Sequence, residues 1–365
     1  MSEVTTTIAS MTIGIDLGDR KSHVCVLDAG GEVVEESRIA TTPKALRVRF
    51  ERMEPTPIAL EVGGHSAWVS ELLGDLGHEV IVANARKLRM IFQSDTKNDR
   101  LDAEQLARVA RMDPKLLYPI EHRERSARAD LAVMRSRDAL VTTRTRLVNH
   151  IHGVLKSFGH RVKKYPAPGF HRQVAGEIPD ELKPALQPIL DTLAALAEGI
   201  LGFDRELRRL STKVYPETAL LNQVHGVGPI TALRYVLTIE DPKRIHRSRN
   251  VGAYLGLRPR QRQSGQRDPE LRITKAGDRD LRRLLVQCAQ YILGPFGTDS
   301  DLRRWGLELA SRGAATAKKK AVIAVARKLA VLLHRLWLTG EVYEPLRNAE
   351  RRASAQTREP AAVAG

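Results

Sequence analysis

A chain of 365 residues has length for two or three domains with cores of their own, and 59 Lys and Arg against 43 Asp and Glu leave a formal charge of +16. That surplus points to a polyphosphate partner. An anionic membrane surface fits less well, because the basic residues run the whole length, no uncharged apolar stretch reaches the ~18–20 residues of a span, and the N-terminus has no signal pattern. Cys25 and Cys288 are too few for a disulfide framework or a cysteine-built zinc site, so a reduced, cytoplasmic protein is expected. An aromatic content of 4% leaves charge and backbone contacts to dominate recognition.

From 12 to 115 strand and helix signals alternate. Residues 12–16, 22–27 and 32–39 are predicted strands, with turns at Gly18-Asp19-Arg20 and Ala29-Gly30-Gly31. Thr42 caps a helix that has Pro43 in first position, 57–61 is a fourth strand, 66–76 a helix closed by Gly77, and 80–83 a fifth strand. A three-strand meander followed by alternating helices and strands is the order of a ribonuclease-H-like α/β fold. The apolar run Ile58–Leu60 suits a central strand covered on both faces.

The stretch 120–215 changes period. Met134, Val141, Val148 and Leu155 recur every seven residues, as do Leu140, Leu147 and Val154. After a Pro/Gly-interrupted connection come Leu186, Leu193, Ile200 and Leu207, with Ile189, Leu196, Phe203 and Leu210 as a second series. An a/d seam held this long predicts a helical coiled-coil arm that serves oligomerisation; two ordinary bundle helices are the alternative. A third, basic and mainly helical domain follows over 216–345, with helices predicted at 230–237, 279–293 and 317–338 and an Arg/Gln-rich loop at 258–267. The small, polar stretch 346–365 reads as a disordered tail.

Four acids stand at element ends: Asp16 and Glu61 close apolar strands, and Asp99 and Asp102 open a helix. Hard divalent cations take oxygen ligands, and two such ions can clamp both oxygens of a phosphodiester displacement, so a metal-dependent nuclease is predicted. Asp16-Leu17-Gly18 also suits an actin-like ATPase, but the second glycine-rich phosphate loop of such proteins is missing. Asp99 as helix N-cap, with Asp102 completing a capping box, is an equally good local reading; residues three apart share a face, so the two roles are compatible. Val224-His225-Gly226-Val227-Gly228-Pro229 resembles the glycine turn of helix-hairpin-helix modules, where backbone N–H groups reach a phosphate through Gly226 and Gly228; a plain helix turn is the alternative. Ser264 lies in a loop with Arg258, Arg260, Arg262 and Arg267, and with Lys275 beyond it. By residue type it is a turn serine, or a nucleophile among phosphate-binding guanidinium groups.

Several of these stretches match one family together. Gly14-Ile15-Asp16-Leu17-Gly18, Leu60-Glu61, Asn98-Asp99-Arg100-Leu101-Asp102-Ala103 and Gly226-Val227-Gly228-Pro229-Ile230-Thr231-Ala232 are joined by Tyr254-Leu255-Gly256-Leu257-Arg258-Pro259, Gln263-Ser264-Gly265, Ile273-Thr274-Lys275-Ala276-Gly277 and Leu281-Arg282. From about 12 to 345 the chain resembles the DEDD-type insertion-sequence transposases with a RuvC-like N-terminal domain, also called bridge-RNA-guided recombinases. The resemblance implies a magnesium-binding tetrad of Asp16, Glu61, Asp99 and Asp102, with two Mg²⁺ ions per site or Mn²⁺ in their place. It implies Ser264 as a nucleophile that links covalently to cleaved DNA, and Gly226, Gly228, Arg258, Arg260, Arg262, Arg267 and Lys275 as nucleic-acid contacts. It further implies DNA ends and target as substrates, an element-encoded guide RNA, a homo-oligomer from dimer to tetramer with composite sites, and a bacterial, nucleoid-associated location.

Two other readings fit the residues. One is a Holliday-junction resolvase-like endonuclease that uses the carboxylates and water, with Ser264 structural. The other is a non-enzymatic DNA-binding protein on a degenerate nuclease fold.

Overall fold

The computed structural model describes residues 11–88, 98–264, 269, 271–313 and 316–348. Of the tail expected from 346 onward, the first three residues are described, with Arg347 tied to Glu341 at 3.0 Å and the Asn348 N–H to Asp301 at 2.7 Å; the rest of it, Gly265 and Arg267 lie outside the described residues. The chain divides into two compact units, 1–123 and 124–365.

The first unit is built on a five-stranded mixed sheet in the order β3-β2-β1-β4-β5. Strands β1 (Thr12–Asp16), β2 (Lys21–Leu27) and β3 (Val33–Ala40) form the antiparallel meander; β4 (Pro57–Glu61) and β5 (Glu79–Ala83) join β1 in parallel. This topology is consistent with the ribonuclease-H-like arrangement expected from the element order. Helix α1 (Pro43–Phe50) starts on Thr42, whose Oγ1 accepts the Ala45 N–H at 3.3 Å, and α2 (Ser66–Asp75) returns the chain to β5. Ile13, Ile15, Ile58, Leu60, Val69 and Leu73 are fully buried between sheet and helices, which accounts for the continuous apolar runs of β1 and β4.

After the short turn α3 (Ala85–Leu88) comes α4 (Asp99–Met112), packed on the other face of the sheet through Ala103, Leu106, Ala107 and Ala110. Gly14 makes that approach possible: a Cβ there would lie 2.0 Å from the Ala103 carbonyl oxygen and 2.6 Å from the Ala107 nitrogen. A small-residue stripe on α4 and a bare position in β1 thus set the helix start close to the end of β1.

In the second unit, α5 (Arg125–Ser157) and α7 (Lys183–Arg209) pack against each other as the predicted helical pair, with the short α6 (Phe170–Val174) between them. The seam is filled unevenly. Leu186, Leu190, Leu193 and Ile200 of α7 are buried, as are Ile151 and Leu155 of α5, but no residue of α5 from Arg135 to His150 is buried. Leu140, Val141, Leu147 and Val148 are only half covered. By length and composition Asp180–Val214 could cross a membrane. It carries charges along its length, Asp191 and Glu198 among them, and its buried stripe of Leu186, Leu190 and Leu193 packs with Ile151 and Leu155 of α5. Asp180 starts a 3-10 turn ahead of α7, and a π-helical turn, Leu210–Val214, ends it.

The base of the arm is continuous with the remaining core: Ala127, Leu131, Met134, Leu207 and Leu210 pack with Leu233 and Leu237. There α8 (Thr218–Asn222), α9 (Pro229–Ile239), α10 (Val251–Tyr254), α11 (Arg279–Leu293), α12 (Asp301–Ser311) and α13 (Ala317–Thr339) surround a core that includes Tyr235, Val325, Leu329 and Leu333.

Candidate active site

Asp16 ends β1 and is half-buried; Glu61 ends the neighbouring β4 and is half-buried too. Asp99 is exposed and Asp102 half-buried in the first turn of α4. The helix cap is neither aspartate. Asn98 has extended backbone (φ −143°, ψ 113°) and its Oδ1 accepts the Arg100 N–H at 3.1 Å, which overturns the expected capping role of Asp99 and leaves both aspartates to other work.

The Asp16 carboxyl titrates at about 6 instead of 3.8. Burial is the largest cause, followed by the charges of Asp99, Asp102 and Glu61, with His23 pulling the other way. The structure therefore brings all four acids into one electrostatic neighbourhood. They do not close on a point: among the described residues no three His, Cys, Asp or Glu side chains converge closely enough to enclose an ion. Four carboxylates offer hard oxygen donors only, a set suited to magnesium or manganese rather than to zinc in its common nitrogen and sulfur sites. His23 escaped the sequence reading. It lies opposite Asp16 in the β1–β2 register, a position legible once the Gly18–Arg20 turn is fixed.

The second candidate site is in the other unit. Residues 256–260 and 272–275 run antiparallel as a stem, with Pro259 bridged to Ile273. The Arg260 N–H donates to Arg272 O at 3.0 Å, and the Thr274 N–H to Arg258 O at 2.9 Å. Ser264 is exposed on the loop beyond this stem, together with Arg258, Arg260 and Arg262; the Arg258 guanidinium donates to Gln261 Oε1 at 2.6 Å. Lys275 has φ +57° and Gly256 φ +67°; a Cβ on Gly256 would lie 2.2 Å from the Ala276 nitrogen.

Two arginines that the sequence reading gave no role hold the stem. Arg282 of α11 donates through Nη1 to Leu255 O at 2.9 Å and to Ala276 O at 2.7 Å, tying its two sides together. Arg234 of α9 is 1% exposed; its Nη2 lies 3.0 Å from Asp278 and 3.1 Å from Asp280, and Asp278 in turn caps α11 by accepting the Leu281 N–H at 2.8 Å. An arginine inside a predicted apolar helix was the available signal for Arg234. Among the described residues no base hydrogen-bonds the Ser264 hydroxyl.

Gly226 (φ +90°) and Gly228, the N-cap of α9, border a cleft of about 490 Å³ with His225, Gln287, Cys288 and Tyr291. Beyond its first turn α9 is buried throughout, so only its N-terminal end faces that cleft.

A family model described as Transposase, of DEDD type, matches residues 13–160, and one described as Transposase IS116/IS110/IS902 family matches residues 218–297. The chain is 31% identical over 291 residues to the transposase for insertion sequence element IS1328 of Yersinia enterocolitica, covering 76% of this chain and 82% of that one. It is 27% identical over 346 residues to the transposase for insertion sequence element IS1111A of Coxiella burnetii (strain RSA 493 / Nine Mile phase I), covering 91% and 90%. The chain belongs to the IS110/IS116 family of transposases. It is a DNA transposase, which removes the non-enzymatic reading. In this transposase the first matched stretch contains all four acids, and the second contains Gly226, Gly228, Ser264 and both stem-holding arginines.

Proposed function

We propose that this transposase cuts and rejoins DNA with Asp16, Glu61, Asp99 and Asp102 holding magnesium, and with Ser264 as the nucleophile. The observation that carries this reading is the gathering of Asp99, Asp102 and Glu61 about the half-buried Asp16, whose carboxyl is raised to about 6 by burial first and by those charges second. Like charges gathered at strand and helix ends favour a divalent cation, and the donors are of the type magnesium takes. When bound, two such ions would neutralise charge on the phosphate and the departing oxygen. The sheet order with acids at the ends of β1 and β4 and the start of α4 supports a RuvC-like nuclease domain.

Attack of Ser264 Oγ on phosphorus forms a serine phosphodiester and breaks one P–O bond to the adjoining sugar. The departing sugar oxygen takes up a proton in place of the one the serine gives up. Attack by the hydroxyl of another strand reverses the exchange, so the ester energy is conserved and rejoining needs no ATP. Arg258, Arg260 and Arg262 would hold the backbone beside the serine, and Gly226, Gly228 and Lys275 would meet phosphates farther along. A serine with no base of its own among the described residues suits a composite site completed by another subunit. The half-covered Leu140, Val141, Leu147 and Val148 offer the arm's apolar face for a homo-oligomer of dimer to tetramer size. Delegating target choice to an element-encoded guide RNA fits a chain of charge +16 with few aromatic base readers. The working compartment is the bacterial cytoplasm, on the nucleoid.

Labelled DNA carrying the element ends, resolved on a denaturing gel after reaction in Mg²⁺, tests the scheme. Ser264→Ala is expected to lose the covalent adduct and strand exchange while still binding DNA; Asp16→Ala, Glu61→Ala and Asp102→Ala lose cleavage. An adduct that persists in Ser264→Ala, or maps elsewhere, sinks the serine mechanism. Adduct-free cleavage that survives in Ser264→Ala promotes the resolvase-like one.

A further inference from the structure

We propose that the distal end of the helical arm is a binding surface for an unpaired nucleic-acid strand, with Lys and Arg on its phosphates and Phe158 against a base. The proposal rests on the reading of this transposase as one that handles nucleic acid beyond the cut phosphate, and it assigns that task to a surface outside both candidate catalytic groups.

Charge distribution is the first observation. From Ala139 to Gly176 the chain has seven Lys or Arg and no Asp or Glu, in a protein with 43 acids. Four of its 11 histidines lie in the same stretch. Several arginines elsewhere in the unit are neutralised locally: Arg137 by Asp204 at 2.5 Å, Arg209 by Glu206 at 2.7 Å, Arg283 by Asp138 at 2.8 Å, Arg304 by Asp299 at 2.6 Å. At the arm's end Lys156, Arg161, Lys163, Lys164 and Arg172 are all exposed, and among the described residues none has a carboxylate within ion-pair distance. The C-terminus of α5 accounts for Lys156, which complements the helix dipole, but not for the four that follow.

Order is the second observation. The connection is not a loose tether: Phe170, Val174, Ile178 and Leu182 are buried against Ile151 and Leu155, the Tyr165 hydroxyl bonds Glu177, and Gly159 ends α5 with φ +82°. Three acids follow at the same end, Glu177, Asp180 and Glu181; Glu177 accepts the Tyr165 hydroxyl and Asp180 pairs with Lys183 at 2.6 Å, so the cations from Lys156 to Arg172 stay in surplus, and a polyanion would relieve their repulsion.

The third observation selects the strand type. Phe158 is 54% exposed among these cations, in a chain with only six phenylalanines. A lone ring is too little apolar surface to enter a bilayer or to form the core of a protein interface. It suits the face of an unstacked base, which a paired duplex does not present. RNA and single-stranded DNA share this chemistry.

Binding of the full-length protein to fluorescent oligo(U), oligo(dT) and a mixed-sequence duplex, over a range of salt, tests the surface. Arg161→Glu with Lys163→Glu and Lys164→Glu is expected to weaken single-strand binding at least ~10-fold and to flatten the log–log salt slope by about 2, near 0.7 for each lost phosphate contact. Phe158→Ala is expected to weaken single strands about 10-fold while leaving the duplex and the salt slope unchanged. A stronger effect on oligo(U) than on oligo(dT) assigns the surface to RNA, the reverse to displaced DNA. The milder Lys163→Gln with Lys164→Gln keeps the test valid where charge reversal perturbs folding. Wild-type affinity and slope in folded charge variants overturn the proposal, as does an equal loss on duplex with no effect of Phe158→Ala. The serine mechanism stands apart from these outcomes: Ser264→Ala must bind all three probes like wild type, and the tip variants leave the adduct chemistry to its own gel assay.

Discussion

Asp16 stands at the end of a strand with a hydrogen-bonded neighbour on each side, whereas Ser264 stands on a loop whose described stem holds one bridge pair. The acids owe their position to regular ladders and to a helix start. The serine owes its position to guanidinium groups that reach backbone carbonyls and a capping carboxylate from other helices. A site on regular elements fails when packing of the elements fails; a site on a tied loop fails when one tie is cut. The two should therefore be separable by mutation.

The largest expected effect breaks the first kind of support. Gly14→Val would drive a side chain into the backbone of α4, where even the first carbon comes within 2.0 Å of the Ala103 oxygen. Overpacking of rigid backbone on backbone should cost about 3 kcal/mol or more and open the first unit, with cleavage lost through unfolding. Urea denaturation followed by circular dichroism checks it; a stability within ~0.5 kcal/mol of wild type, the range of ordinary surface changes, would mean that α4 does not bear on β1 as described.

Cutting a tie is the second test. Arg282→Ala removes both bonds across the stem base and leaves the acids untouched. Misplacing a nucleophile by about 1 Å can cost on the order of 10²-fold in rate. Adduct formation by Arg282→Ala is expected to fall on that scale with little change in DNA affinity, and Arg282→Lys, which can restore one bond, to recover part of it. A variant that loses affinity and rate together would place Arg282 in DNA binding instead.

This contrast also explains what the sequence disclosed. Strand and helix ends carry their signals locally: alternation, Thr42 with Pro43, Gly77 after α2. The five strands were therefore placed within one residue, and the four acids followed. The Asn98 cap was misassigned by one residue, because Asn and Asp both cap well and stood side by side. Helix α12 has no counterpart in the sequence reading, although Ser300, whose Oγ accepts the Arg303 N–H at 3.2 Å, marks its start and Leu302, Trp305 and Leu309 recur at helical spacing. Ser264 could be singled out only by resemblance: the bonds that hold its stem join residues up to 46 positions apart in sequence, and no local pattern announces them.

The smallest expected effect is a pH dependence confined to the acidic site. The Asp16 carboxyl has an ordinary value of 3.8 and a folded one of about 6, so between those values the folded chain holds a proton that the unfolded chain has released. Its contribution to metal-free stability is therefore full below the lower value and is lost as pH rises through the upper one. Because the group is only half-buried, solvent screening reduces the change to about 1 kcal/mol. Asp16→Asn cannot titrate, so its stability relative to wild type should rise by that amount across the window and stay level outside it. Magnesium should act on wild type in the same sense, stabilising it above the window, where the carboxylate is ionised, and losing effect below. Chemical denaturation of both proteins at pH values below, within and above the window, with and without Mg²⁺, measures this directly. A magnesium effect that is independent of pH, or that persists in a variant lacking Asp16, Glu61 and Asp102, would place the ion elsewhere and leave the crowded acids without the role proposed for them.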